Sequence, residues 1–184
     1  LIGAVNTVLN DNGKLIGYNT DGYGFMQSVR DAGHDITGKN ITVMGVGGAS
    51  MAICAQSALD GAASVHIFAR RTSRYWNRTQ KFAENLSAKT GCQVCLFDND
   101  DHTALRDSIA QSYLLINATS VGMVPDIDDT IIKDTSLFHP ELVVADVVYE
   151  PQETRLLREA KAAGCQTFNG MYMLLHQGAK AFQI

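Results

Sequence analysis

Ile41-Thr42-Val43-Met44-Gly45-Val46-Gly47-Gly48-Ala49-Ser50 is the stretch on which the fold turns: a continuous apolar strand runs straight into a glycine-rich loop. Residues 51–59, which follow, have helix-forming composition and stop at Asp60-Gly61. A strand that is apolar throughout is buried on both faces. A glycine loop between such a strand and a helix lets backbone N–H groups and the helix N-terminus meet a pyrophosphate, because side chains there would block the approach. Gly45, Val46, Gly47, Gly48 and Ala49 are therefore the candidate dinucleotide contacts. Ser50 stands where a strict G-x-G-x-x-G pattern has its last glycine, and an ordinary tight turn is the plainer alternative. A Walker loop is excluded, since no Gly-Lys-Ser or Gly-Lys-Thr follows.

Outward from this stretch the alternation continues. Residues 64–68 read as strand, 75–88 as helix, 93–97 as strand, 103–111 as helix, and 113–116 and 142–148 as further strands. Pro151 suits the first turn of a helix carrying Leu156, Leu157, Ala160 and Ala163 and ending at Gly164. A short strand at 166–168 and a last helix from about Tyr172 complete the chain. Apolar strands separated by helices imply right-handed crossovers, so the fold class is α/β, a Rossmann-type doubly wound parallel sheet of six strands from Ile41 onward. Ahead of it, residues 5–9 and 15–18 flank Asn10-Asp11-Asn12-Gly13, which predicts a hairpin. Asp21 is placed to cap a helix reaching about Ala32, with Phe25, Met26 and Val29 inward and Gly33 closing it. The pattern changes near Gly38. Residues 1–20 are thus expected to be the end of a preceding domain, 21–38 a connecting helix and 39–184 the dinucleotide domain, its last helix packing back toward the first part.

Composition bounds the function classes. The 184 residues suit one domain plus a remnant of another, and an apolar start at Leu1-Ile2-Gly3 with no initiator Met is what a piece of a longer chain would show. With 46% hydrophobic and 18% charged residues the chain can pack a core, which argues against disorder. A net charge of −4 offers no basic field to a nucleic-acid backbone. No run approaches the ~18 apolar residues of a membrane span, and the first ten residues lack the regions of a signal peptide. The expectation is a soluble cytoplasmic protein with a small-molecule substrate and neither nucleic acid nor membrane as partner. Cys54, Cys92, Cys95 and Cys165 are expected as reduced packing thiols. Cys92 and Cys95 flank Gln93-Val94 in a strand where a redox pair would open a helix, and no second pair completes a zinc site, so no metal is expected.

Cofactor choice is read just after the second strand. An NAD-selective domain carries an acidic residue there to accept from the ribose 2′-hydroxyl. Between Asp60 and Glu84 this chain has none, but it has Arg70, Arg71, Arg74 and Arg78, with Thr72 and Ser73 among them. Guanidinium groups can bind a 2′-phosphate in pairs and stack on adenine, so NADP is favoured, with NAD possible and a solvated basic helix start as the plain alternative. Arg78 reads as surface.

Six motifs then occur in order: Gly3-Ala4-Val5-Asn6-Thr7; Asn19-Thr20-Asp21-Gly22; the glycine loop; Asn117-Ala118-Thr119-Ser120-Val121-Gly122-Met123; Asp146-Val147-Val148-Tyr149-x-Pro151; and Gly170-Met171-Tyr172-Met173-Leu174-Leu175-x-Gln177-Gly178-Ala179. Together they resemble the shikimate dehydrogenase and quinate/shikimate dehydrogenase family. The resemblance implies a two-domain oxidoreductase that interconverts shikimate and 3-dehydroshikimate, or the corresponding quinate pair, with NADP or NAD. It implies that Asn6, Asp21 and Gln177 contact the substrate, with Asp21 catalytic, and that Arg70, Arg71 and Thr72 hold the adenosine end. Thr119, Ser120, Val121 and Val147 are implied to border the cofactor, with Tyr149, Gly170 and Met173 near the nicotinamide. Neutral amides suit a polyhydroxylated carboxylate as paired donors and acceptors, and a carboxylate suits the hydroxyl proton that must move as hydride leaves its carbon.

Against the family pattern, Ala69 stands where an Asn is common, and the lysine that partners the aspartate belongs to a motif ahead of Gly3. The chain alone is thus expected to bind dinucleotide and turn over poorly. Read without the resemblance, Asp21 is a helix cap, Asn6 a strand-end residue and Met173 a core residue; His176 is expected to be a surface or domain-facing residue, not a catalyst. The rival function is a non-catalytic dinucleotide-binding or regulatory module of the same fold; another Rossmann oxidoreductase with this loop is the third.

Overall fold

The computed structural model describes residues 2–184. β1 (Thr7–Asp11) and β2 (Lys14–Tyr18) pair antiparallel with Asp11 opposite Lys14, so the turn is Asn12-Gly13, at φ 51° and 90°. Two successive left-handed residues match the twist of a two-residue hairpin, and Asn-Gly adopts them at least cost. Asn10 and Asp11, expected in the loop, extend the strand.

The helix α1 (Asp21–Asp31) buries Phe25, Met26 and Val29 as expected. Thr20, not Asp21, holds its N-cap position, and Asp21 is the first helical residue. Then come β3 (Asn40–Met44), α2 (Gly48–Leu59), β4 (Ser64–Ala69), α3 (Trp76–Thr90), β5 (Gln93–Asp98), α4 (His102–Gln111) and β6 (Leu114–Asn117). A 3-10 turn at Thr135–Leu137, β7 (Val143–Asp146), α5 (Arg155–Ala162), β8 (Gln166–Phe168) and α6 (Met171–Phe182) complete the fold. The helix α5 begins later than Pro151 suggested, because Thr154 takes the N-cap and its Oγ1 accepts from the Leu157 N–H at 3.4 Å. The loop helix α2 begins earlier than expected, at Gly48 directly after the glycines.

The six strands β3 to β8 form one parallel sheet in the order β5-β4-β3-β6-β7-β8. The chain winds one way from β3 to β5 and the other way from β6 to β8, so the carboxyl ends of β3 and β6 part at the switch point where ligands of open α/β sheets bind. Successive residues of each strand face opposite layers. Ile41, Val43, Leu114 and Ile116 join Phe25, Ile53 and Leu86 in one buried cluster, while Met44, Phe68, Leu115 and Val144 join Ile109, Leu156 and Leu157 in the other. Continuous apolar strands were the sign of this, since both faces are covered. Two glycines of α1 let the helices close: a Cβ at Gly22 would lie 2.3 Å from the Ala52 carbonyl, and one at Gly24 2.7 Å from the Met173 carbonyl. That approach brings α6 back against α1. All four cysteines are free thiols, and burial pushes that of Cys54 up to about 12. Among the described residues no helix is long and apolar enough to cross a membrane.

Candidate active site

The glycine loop joins β3 to α2 at the switch point. Gly45 has φ 109°, and a Cβ on it would lie 2.8 Å from Thr119 Cγ2 and 2.9 Å from the Ala118 carbonyl, so the neighbouring β6 loop itself requires this glycine. Gly47 and Gly48 differ. Both are exposed, and a Cβ on either would meet no atom of the chain within 4 Å. Gly47 is the N-cap of α2 and provides no side-chain cap, so the first N–H groups of the helix point outward without a partner from their own helix. A bare helix N-terminus under open space fits a phosphate. Ser50, in the last glycine's place, is fully buried and donates through Oγ to the Gly45 carbonyl at 2.5 Å, locking the loop from beneath.

From this loop a cleft of about 900 Å³ runs along the sheet's carboxyl edge, lined by Gly45, Val46 and Gly47, by Ala69, Arg70, Thr72, Ser73 and Arg74, and by Thr119, Ser120 and Val121. Thr119 and Ser120 also line a second cavity of about 490 Å³ with Val147 and Tyr149. The two cavities thus adjoin across the 119–120 loop. Asn117 shapes that loop: its Oδ1 accepts from the Thr119 N–H at 3.1 Å and hydroxyl at 2.7 Å, and its Nδ2 donates to the Val121 carbonyl at 3.1 Å. The same Nδ2 reaches Asp146 Oδ1 at 3.0 Å. Asp146 is fully buried, also accepts from the Val148 N–H and the Thr154 hydroxyl, and has its carboxyl raised above the ordinary range by burial.

At the start of α1 a polar cluster gathers. Asn6 Nδ2 donates to Asp21 Oδ1 and to Thr20 Oγ1, each at 2.9 Å, and lies 3.4 Å from Gln177 Oε1. Asn6 Oδ1 accepts from the Thr20 N–H at 3.0 Å. Residues from the hairpin, the first helix and the last helix therefore meet at one point, although Asn6 and Gln177 stand 171 positions apart. The Asp21 Oδ2 oxygen has no partner among the described residues.

Three comparisons bear on this arrangement. No family model matches the chain. The NADP-dependent shikimate dehydrogenase of Listeria innocua is 51% identical over 184 residues, all of this chain and 63% of that protein. The quinate/shikimate dehydrogenase of an Escherichia coli O139:H28 strain is 42% identical over the same 184 residues, 64% of its length. The crystal structure of Listeria monocytogenes shikimate 5-dehydrogenase in complex with shikimate and NAD superposes with a TM-score of 0.95 at 49% identity, over 99% of this chain and 63% of that one. The chain is strongly homologous to the shikimate and quinate/shikimate dehydrogenases. It spans just under two thirds of the length of these relatives.

Set beside the family expectation, most assigned residues come together and a few do not. Gly45, Val46, Gly47, Arg70, Thr72, Thr119, Ser120 and Val121 line one cleft, Val147 and Tyr149 the adjoining cavity, and Gly48 and Ala49 open α2. Gly170 serves the backbone: a Cβ there would lie 2.0 Å from the Val147 carbonyl. Arg71 does not line the cleft; its guanidinium lies 4.6 Å from the Trp76 ring centre. Arg74, not assigned to the cofactor by the sequence, lines the cleft instead, its guanidinium 4.7 Å from the Tyr75 ring centre. Met173 is buried in the core cluster, so its plain reading as a core residue is the one its surroundings match. Arg78 donates to the carbonyls of Ile2 and Gly3 and pins the start of the chain. His176, expected at the surface or facing the other domain, is half-buried and lies 2.8 Å from Asp31 of α1. Thr20 and Asn99 were not singled out as site residues. Thr20 was visible only as part of its motif, and Asn99 carries no sequence signal.

Proposed function

We propose that this chain supplies the dinucleotide site and part of the substrate site of a cytoplasmic oxidoreductase. It moves a hydride between NADP(H) and shikimate/3-dehydroshikimate, or the corresponding quinate pair. In this reading residues 1–20 end the substrate domain, 21–38 connect, and 39–184 hold the cofactor. The convergence of Asn6, Thr20, Asp21 and Gln177 carries it: neutral amides and a hydroxyl surround one carboxylate, a donor and acceptor set suited to a polyol carboxylate.

The cleft fits the cofactor on this chain's own terms. Gly47 and Gly48 leave room over the α2 N-terminus for the diphosphate, and Arg70 and Arg74 face the adenosine end in a cleft that no carboxylate lines among the described residues. Bound nicotinamide accepts or returns the hydride. The chain's part is positional: Asn6 fixes Asp21 Oδ1, leaving Oδ2 to take the hydroxyl proton as the ring C–H bond breaks with its electron pair and the C–O bond becomes a carbonyl.

The test joins this chain to the upstream segment of the Listeria innocua relative and follows NADP+ reduction with shikimate, then quinate. Turnover should appear, and Asp21→Asn should lower kcat about 10²- to 10⁴-fold with NADPH binding unchanged. NADPH binding without turnover on either substrate would leave the non-catalytic module; full activity in Asp21→Asn would remove the role given to the carboxylate.

A further inference from the structure

Asn99 is the first residue after β5, and its N–H donates to the Ala69 carbonyl at 2.9 Å, which ties it to the end of β4. It lines the same cleft as Arg70, Thr72 and Arg74. Its Oδ1 is enclosed and has no hydrogen-bond partner among the described residues. A buried amide oxygen left without a donor is costly, so an orphan of this kind on the wall of a cleft points to a ligand group that donates to it. Ala69 beside it, the last residue of β4, contributes no polar side chain at all.

The order of the sheet says which part of a dinucleotide lies here. The phosphate-binding loop follows β3, the arginine-bearing segment follows β4, and Asn99 follows β5, the next strand outward. Neighbouring strands are spaced by about 4.8 Å, so the ends of β3 and β5 lie roughly 10 Å apart. That is about the span from a diphosphate, past its ribose, to the purine. Building on the dinucleotide reading above, we propose that Asn99 is a specificity residue that reads the adenine base. Its Oδ1 accepts from the N6 amino group while its Nδ2 donates to a ring nitrogen, the bidentate pairing by which an asparagine amide matches adenine. The amide after β5 supplies the polar contact to the adenosine that Ala69 does not.

The test uses NADP+ and its 1,N6-etheno derivative, which keeps both ribose groups and every phosphate but ties up N1 and N6 of the base. Dissociation constants are measured by calorimetry on the chain and on Asn99→Ala and Asn99→Asp, with thermal unfolding of each as a check of folding. The chain should bind NADP+ at least tenfold tighter than the etheno derivative. In Asn99→Ala that preference should fall below about threefold, through weaker NADP+ binding, with affinity for the derivative changed less than twofold. Asn99→Asp keeps the acceptor and loses the donor, so it should retain part of the preference. Equal weakening of both ligands in Asn99→Ala, or no base preference in the unsubstituted chain, overturns the inference and leaves the dinucleotide reading standing. If NADP+ does not bind to the unsubstituted chain, both fall together.

Discussion

Replacing Gly47 by Ala separates what the loop does for the fold from what it does for a ligand. Gly47 has φ −76° and ψ −177°, backbone that any residue adopts, and an added Cβ would touch nothing in the chain within 4 Å. Folding should be almost indifferent: a helix N-cap loses about 0.5–1 kcal/mol on going from Gly to Ala, and the stiffer unfolded chain offsets about as much. The net change should stay within about 0.5 kcal/mol, or roughly 2 °C in Tm for a protein of this size. A diphosphate seated on the α2 N-terminus would meet the new methyl and lose about one charge-assisted N–H···O bond, worth roughly 1.5–3 kcal/mol. The Kd for NADPH should therefore rise about 10- to 100-fold. NADPH fluorescence titration and circular-dichroism melting on the same samples read both quantities. Gly45→Ala is the counterpart, because its φ of 109° and its contacts of 2.8 Å to Thr119 Cγ2 and 2.9 Å to the Ala118 carbonyl leave no room. It should cost about 3 kcal/mol and roughly 10 °C. If Gly47→Ala binds NADPH as tightly as the parent, or melts as early as Gly45→Ala, the reasoning about open space over the helix is refuted.

Further outcomes follow from the same geometry. Arg74→Ala should raise the Kd for NADPH about tenfold and move that for NADH less than twofold, while Arg71→Ala, whose side chain stacks on Trp76, should leave both near the parent value; equal losses from the two variants in parallel titrations would undo the assignment. Asp146→Ala strands the Asn117 amide, the Val148 N–H and the Thr154 hydroxyl, and should cost about 3–5 kcal/mol in urea unfolding, with Asp146→Asn costing less because one acceptor remains. His66 donates to or accepts from Ser108 at 3.0 Å, and burial holds its pKa below the ordinary value. The folded chain resists protonation there, so this group's contribution is whole above about pH 6.5 and is lost progressively as the pH falls from there through the lower folded value. Urea midpoints between about pH 7 and pH 5 should decline less in His66→Asn than in the parent, and identical declines would exclude His66 as a source.

What the sequence determined was everything set by local pattern. Unbroken apolar strands announced a sheet covered on both faces, and the Gly45 to Ser50 loop located its ligand-binding edge, because periodicity and glycine spacing act over a few residues. Asn12-Gly13 marked a turn for the same reason, although which two residues form it depended on the pairing of Asp11 with Lys14. Asn6, Asp21 and Gln177 were legible only as motifs; that they converge was decided by Gly22 and Gly24, which let α1 lie close against α2 and α6. The choice of Arg74 over Arg71 was likewise tertiary, since Trp76 captures one guanidinium and leaves the other on the cleft wall. Asn99 reaches the site because β5 pairs beside β4, a juxtaposition made by strand order, which no single stretch of chain encodes.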